Sequence, residues 1–480
     1  MLKISNNQQG RHIFMYNSIQ HFLGFGINKI EKDIKEFLNQ GRDFGEFVLK
    51  MEENLHELGR NICSEVMEDI DKVIKEDDER KKDWDVERKD EIGTIITIFG
   101  KVEYKRTYYK SKSGKGYCHL VDEFAGIGPH DRISTDVVVR TLEEVTDSSY
   151  KKTGEKVVLT DEISKQTVMN IVKDTDEIRY QLNPQEEKKK VKKLYIEADE
   201  DHVQLQKGGT IMPRLVYVHE GLENDGLKHK RKRLMNARYF GGVYSNNEEL
   251  WLEVAQYIDD YYDTDYIEKI YLAGDGAPWI RQGLNWIDKS EYVLDKYHLK
   301  KYILKSTGHV PHLRQNLKDA IDDADKRYLK EILSETIEET KKESVKEARR
   351  YMLRNWDGIE IYETDRYDVI GCSAEGHVSH ILSARLSSRP MGWSEECVDK
   401  MSRLRIYRKN GGKIIDLVKA KKIKEEKEQK QEISKELRNK ITRKAKSYYN
   451  GGYNNITVLN LGKKNALYNE LKAFQYGQLA

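Results

Sequence analysis

Leu194-Tyr-Ile-Glu-Ala-Asp-Glu-Asp-His-Val-Gln-Leu-Gln206 is the stretch on which the fold turns. It reads as two short strands with an acidic patch at their junction. Tyr195, Ile196 and Ala198 suit a strand buried on at least one face, and Val203 and Leu205 alternate with His202, Gln204 and Gln206 as a half-buried partner does. Asp199 falls at the end of the first strand, where a carboxylate is costly unless a metal or a basic partner meets it. A solvated turn over residues 197–201 is the plain alternative, and the chain downstream has to decide between the two.

Downstream, a strand over residues 214–219 is followed by an extension near 239–244 and a helix from Asn247 to about Tyr261. The strand Ile267-Glu-Lys-Ile-Tyr-Leu-Ala273 then runs into Gly274-Asp-Gly-Ala-Pro-Trp-Ile280, and a helix to about Asp288 and a strand over 292–294 complete the series. Three antiparallel strands, helix, strand, helix, strand is the order of an RNase H-like domain, so the expected class is mixed α/β. Asp275 lies just past a strand, between glycines that let the backbone turn and leave the carboxylate uncrowded. It can share an ion with Asp199 if the two strands are neighbours, although Gly-Asp-Gly is also an ordinary turn. A pair of divalent ions needs several hard oxygen ligands, so a third acid is required. Glu375 is the best candidate, in Gly371-Cys-Ser-Ala-Glu-Gly-His-Val-Ser-His-Ile-Leu-Ser-Ala-Arg-Leu386, where Ser373 can cap a helix with Val378, Ile381, Leu382 and Leu386 on its apolar side. A plain helix-start glutamate is the competing reading. Between the second and third acids, residues 313–355 are rich in Glu, Lys and Ala and read as a helical insertion.

The whole chain constrains less. It has 480 residues, enough for several domains, and 35% charged residues suit a protein with long exposed helices. The formal charge of +2 excludes a whole-chain field for nucleic acid, so any such attraction is local. Cys63, Cys118, Cys372 and Cys397 form no CxxC pair, which excludes a zinc-finger pattern or a disulfide scaffold. With no bilayer-length apolar run and no signal pattern at the amino terminus, a cytoplasmic, nucleoid-associated protein that needs no membrane is expected.

Before the acidic stretch, helical spacing from Ile27 to about Trp84 predicts one or two long amphipathic helices over residues 1–90. Residues 93–100 and 102–110 predict a hairpin split at Gly100-Lys101, its second strand rich in Lys, Arg and Tyr. Such a strand can stack on bases and meet phosphates, or can simply be an edge with a polar face. Three helices follow, over 134–146, 149–157 and 162–173, the last capped by Thr160 or Asp161 and exposing Lys165, Gln166, Thr167 and Asn170. Short polar side chains on such a helix suit a helix-turn-helix-like reader of base edges. Residues 91–183 thus form a candidate DNA-binding region, 190–418 the RNase H-like core with its insertion at about 310–356, and 419–480 a charged tail. Ile433, Leu437 and Ile441 in that tail make a narrow seam that can pair with another protomer or lie on DNA. Trp279, Trp286 and Trp393 are expected in the core, and Arg385 and Arg389 can clamp phosphates or form surface ion pairs.

Asp199, Asp275 and Glu375, together with Asp295-Lys-Tyr-His298, Ala374-Glu-Gly-His-Val-Ser-His380 and Arg385-Leu-Ser-Ser-Arg-Pro-Met-Gly-Trp-Ser394, resemble bacterial insertion-sequence transposases of the ISLre group, relatives of the Mutator-type DDE transposases. The resemblance implies that Asp199, Asp275 and Glu375 bind two Mg²⁺ ions, with Mn²⁺ as a substitute, and that Asp295 and His298 form the signature between the second and third acids. His298 is expected to support the triad rather than act as general base. Relatives carry Gly after the first acid where this chain has Glu200-Asp201, so Asp201 stays open as an alternative first ligand. The implied function is a DNA transposase that binds its element's ends, hydrolyses a phosphodiester and transfers the freed 3′ end to target DNA, assembling as a homo-oligomer on DNA. The alternatives are a DNA-binding regulator with an inactive core and a nuclease without strand transfer.

Overall fold

The computed structural model describes residues 17–40, 43–114, 116–158, 161–176, 178, 187–224, 232–389 and 391–428. The predicted apolar seam at Ile433, Leu437 and Ile441 lies outside them. The chain is mixed α/β and divides into two compact units: residues 1–144, 149–168 and 420–480, and residues 145–148 and 169–419.

In the first unit, helices α1 (Ile27–Gln40) and α2 (Phe44–Glu76) precede strands β1 (Trp84–Thr97), β2 (Gly100–Ser111) and β3 (Tyr117–Cys118), paired antiparallel in the order β1-β2-β3. The hairpin begins at Trp84, well before the expected Gly93, because Asp85, Glu87, Arg88 and Lys89 hide the strand beneath charge. Tyr104 and Tyr109 of β2 point inward with Ile74 of α2 and with Leu120 and Val121 of the short helix α3 (Leu120–Phe124). Two of the tyrosines expected to face a ligand therefore serve the core. Lys101, Lys105 and Lys110 remain exposed. Helices α4 (Thr135–Val145) and α5 (Tyr150–Val157) follow. Helix α6 (Lys165–Lys173) is capped by Ser164, whose Oγ accepts from Thr167 N at 3.1 Å. The expected cap Asp161 instead accepts from Lys101 N at 2.9 Å.

The second unit is built on a five-stranded sheet. Its strands are β4 (Lys193–Glu200), β5 (Arg214–His219), β6 (Arg238–Gly242), β7 (Lys269–Gly274) and β8 (Ser290–Leu294), in the spatial order β6-β5-β4-β7-β8. The first three are antiparallel, and β7 runs parallel to both β4 and β8. Residues Val203–Gln204 are not the partner of β4. They pair with Thr210–Ile211, and Leu205 bridges to Trp393, because the chain needs the length to 214 to reverse and lay β5 beside β4.

Alternation along β4 builds both layers. Leu194, Ile196 and Ala198 face α7 (Asn247–Tyr261), meeting Leu250, Trp251 and Val254 in the main core. Tyr195 lies on the opposite face, in the cluster formed by Tyr271, Ala273 and Val293 with Ile361 of a later helix. Helix α8 (Lys296–Thr307) leaves the end of β8, and the expected helical insertion comprises α9 (Arg314–Asp322), α10 (Lys326–Thr340) and α11 (Glu343–Arg354). Then come α12 (Trp356–Thr364), α13 (Ala374–Val378), which runs on through a π turn at Ser379–Ser383, and α14 (Glu395–Lys409). Asn410, ending α14, closes the open edge of β6. Its amide donates to Tyr239 O at 2.8 Å and accepts from Tyr239 N at 2.9 Å, as a neighbouring strand would. Trp279 and Trp393 are buried as expected. Trp286 ends a 3₁₀ turn and is 38% exposed, so it is not a core residue. Among the described residues no helix is long and apolar enough to cross a membrane.

Candidate active site

Two adjacent parallel strands end in acids. Leu272 of β7 pairs with Ile196 of β4, which carries both chains in register to Asp199 and Asp275 at the same edge of the sheet. Asp275 is fixed by its turn: its Oδ1 accepts from Ala277 N at 2.8 Å, and Gly276 stands at φ +93°. A Cβ at Gly276 would come within 2.7 Å of Asn355 Oδ1, and its positive φ favours glycine, so a side chain here is both strained and crowded. The helical insertion holds it from the other side, through a Tyr351 hydroxyl that donates to Asp275 O at 2.5 Å. Glu375 is exposed, in the first turn of α13.

Electrostatics tie these acids together across long sequence separations. Burial pushes the Asp199 carboxyl up to about 7; the Glu200 amide and His298 oppose this, and the nearby Asp275 and Glu375 carboxylates raise it further. Asp295 caps α8 with Oδ1 on Tyr297 N at 2.9 Å and holds His298 Nδ1 at 3.1 Å through Oδ2. That hydrogen bond, against the effect of burial and with help from Asp275, Asp295 and Asp199, raises the His298 imidazole above its ordinary value. Asp199, Asp275, Glu375 and His298 therefore share one electrostatic neighbourhood. Among the described residues, no three His, Cys, Asp or Glu side chains are gathered into a ready coordination group. The Asp275 and Glu375 carboxylates disfavour the charged form of Asp199. Hard carboxylate oxygens are the donors that Mg²⁺ or Mn²⁺ takes, and a bound cation would favour the charged form of Asp199.

Asp201 is held by its own hydrogen bonds. It is 7% exposed, and its Oδ1 accepts from His202 N at 2.9 Å and from the Ser387 hydroxyl at 2.8 Å. Its other carboxylate oxygen, Oδ2, is buried with no hydrogen-bond partner. Arg385 is 5% exposed, with Nε donating to Val145 O at 2.9 Å and its guanidinium 4.7 Å from the Trp393 ring centroid. It is engaged in packing, whereas Arg389 is exposed. On α6, Lys165, Gln166 and Asn170 are exposed and Thr167 is half-buried.

Sequence reading missed several groups. Arg214 begins β5 opposite Glu200 and lies over Trp279, 5.2 Å from the ring centroid, while the Trp279 indole donates to Glu200. Ser373 does not cap α13 as expected. Its hydroxyl is directed to Glu197 at 3.1 Å, because Glu197 is a buried carboxylate in need of donors. Tyr217 and His219 complete that set, at 2.6 and 3.0 Å. Burial acts to raise Glu197, and these donors outweigh it and hold the carboxyl below its ordinary value. The period-two placement of Tyr217 and His219, which lie opposite Glu197 and Tyr195, was the available signal.

Comparison with known proteins adds the family. A UPF0236 protein of Caldanaerobacter subterraneus subsp. tengcongensis is 44% identical over 473 residues, covering 98% of this chain and 99% of the relative. Another UPF0236 protein of that organism, also 44% identical over 473 residues, has a name that joins eleven locus designations. A more distant UPF0236 protein, from Streptococcus gallolyticus, is described as lying in a vanSb 3′ region and is 25% identical over 400 residues, 80% of this chain and 86% of the relative. The family profile itself matches residues 37–438, and the chain belongs to UPF0236, a family described as uncharacterised.

Proposed function

We propose that this chain is a DDE-type DNA transposase with an RNase H-like core, in which Asp199, Asp275 and Glu375 hold divalent metal ions. One observation carries the reading: two adjacent parallel strands bring Asp199 and Asp275 to one sheet edge, and the Asp199 carboxyl is raised to about 7 by burial and, further, by Asp275 and by Glu375 from a distant helix. The strand order β6-β5-β4-β7-β8, with three antiparallel strands followed by two parallel ones, is the order expected of that core. A relative whose name joins eleven loci of one organism fits a gene that moves.

Bound metal would supply Lewis-acid activation and charge neutralisation for displacement at phosphorus. The three carboxylates would hold it. His298, with its Nδ1 on Asp295, is fixed in orientation and biased toward its charged form, so it balances negative charge near the acids rather than accepting a proton. Water and a DNA 3′ hydroxyl are both in-line nucleophiles, so one site serves cleavage and joining. The exposed face of α6 and Arg389 are the DNA contacts of this reading. A second reading, a DNA-binding regulator with an inactive core, draws on the absence of a ready coordination group among the described residues.

The test is a cleavage and joining assay with Mg²⁺ on DNA carrying the sequences that flank the gene. Changes to groups that merely orient metal ligands cost about 10–100-fold, so Asp199→Asn, Asp275→Asn and Glu375→Gln should each lose at least about 100-fold. Asp201→Asn should retain most cleavage. Triad variants that cut like wild type refute the site, binding without cleavage supports the regulator, and cleavage without joining supports a nuclease.

A further inference from the structure

Glu197 is a carboxylate in the middle of a strand, 2% exposed, on the sheet face that also carries the cluster of Tyr195, Tyr271, Ala273 and Val293. A buried charge persists only with good partners. Two of its partners are on the neighbouring strand: the Tyr217 hydroxyl at 2.6 Å and His219 Nε2 at 3.0 Å. The third, Ser373, lies 176 positions away and donates through both its amide and its hydroxyl. Ser373 also meets Tyr217 Oη at 2.9 Å. A serine at the start of a helix ordinarily caps it. Here α13 has no side-chain cap, and the hydroxyl is turned to the sheet.

The same helix has a second anchor. The His377 ring lies 4.6 Å from that of Tyr217, and its Nδ1 meets the Tyr239 hydroxyl at 3.1 Å. Residues 373 and 377, which flank Glu375, are thus both held to the sheet face that carries Glu197. On the strand side, Glu197 precedes Asp199 by two positions and shares its face. One carboxylate therefore links the backbone that bears Asp199 to the backbone that bears Glu375.

We propose that Glu197 is a positioning residue for Glu375: through Ser373, and supported by Tyr217 and His219, it sets the exposed third acid beside the first. This rests on the assignment of Glu375 as a metal ligand made above. Glu197 touches neither metal nor DNA and acts through the helix start.

Two measurements on the full chain test it. The first is Mn²⁺ binding, followed by electron paramagnetic resonance, for wild type, Glu197→Gln, Glu375→Gln and the double variant. Glu197→Gln should weaken binding about tenfold, in the range found for groups that orient metal ligands, and should add nothing once Glu375 is already Gln. An equal loss on both backgrounds overturns the proposal, since a general structural defect would act without Glu375. The second is amide hydrogen exchange without metal. Exchange across residues 373–378 should quicken in Glu197→Gln while β7 is unchanged, and unaltered exchange there overturns the tether. Should Glu197→Gln fail to fold, Ser373→Ala, which deletes one hydroxyl, takes its place, with a smaller loss expected in the same pattern. A wild-type chain that takes up no Mn²⁺ refutes the metal reading of Glu375, and the exchange result then decides the tether alone.

Discussion

Asp199 carries a cost that a metal ion would remove. Its carboxyl is 3.8 in ordinary surroundings and about 7 here, first through burial and then through Asp275 and Glu375. The folded chain thus binds a proton that the unfolded chain has released between those values, so stability falls as pH rises from about 4 to about 7. The full difference is worth at most roughly 4 kcal/mol, less where solvent reaches the group. His298 acts in the same sense: its raised value stabilises the fold at low pH, and that contribution is lost as pH rises through it. In metal-free buffer, Asp199→Asn should therefore be more stable than wild type at pH 8, by about 1–3 kcal/mol, and nearly equal at pH 4. Urea unfolding at the two pH values measures this. A variant that gains stability as it loses function marks a group kept for chemistry. Wild type and variant with the same pH slope would show that Asp199 is not the strained group.

At the scale of elements, the loop after β7 is where local geometry is least tolerant. Gly276 has φ +93°, and its missing side chain leaves room for Asn355, which itself follows α11 of the insertion. Gly276→Ala should cost about 1–3 kcal/mol from backbone strain alone. It should also displace Asp275 and so reduce cleavage further than the stability loss explains. Tyr351→Phe, which removes only the hydroxyl on Asp275 O, should reduce cleavage with little change in melting. Paired melting and rate measurements on both variants separate the two effects, and a Tyr351→Phe enzyme of full activity would confine the insertion to a packing role. Much of this region was legible from sequence, because glycines on either side of an acid at a strand end state their conformational need locally. The insertion was legible by composition, and α7 was already placed as a helix from Asn247 to about Tyr261. The partner of β4 was not: Val203 and Leu205 alternate as convincingly as Leu215 and Tyr217, and only pairing across the sheet distinguishes them. Glu197 was hidden for the same reason. Its donors are Tyr217, His219 and Ser373, and a residue 176 positions away leaves no mark in a local pattern. Charge on Asp85 to Lys89 likewise concealed the first half of β1, because exposed strand residues carry no apolar signal.

Across the whole molecule, the acids and their supports all belong to the unit of residues 145–148 and 169–419, and metal binding should be felt there. An ion that binds only the folded state stabilises it by about 2.7 kcal/mol at one hundred times its dissociation constant. For some 250 residues that corresponds to a rise in melting temperature of about 5–10 °C. The rise should depend on pH, because the carboxylates bind metal only when deprotonated and Asp199 holds its proton up to about 7. Mg²⁺ at fixed ionic strength should therefore stabilise the chain strongly at pH 8 and weakly at pH 5, and Asp199→Asn should abolish the difference. Hydrogen exchange locates the effect. Amides around residues 199–201, 274–278 and 373–378 should gain protection with Mg²⁺ at pH 8, whereas those of the β1–β2 hairpin should not change. Protection that spreads equally over both units, or a thermal shift that survives in Glu375→Gln, would assign the cation to nonspecific screening and remove the metal from the site.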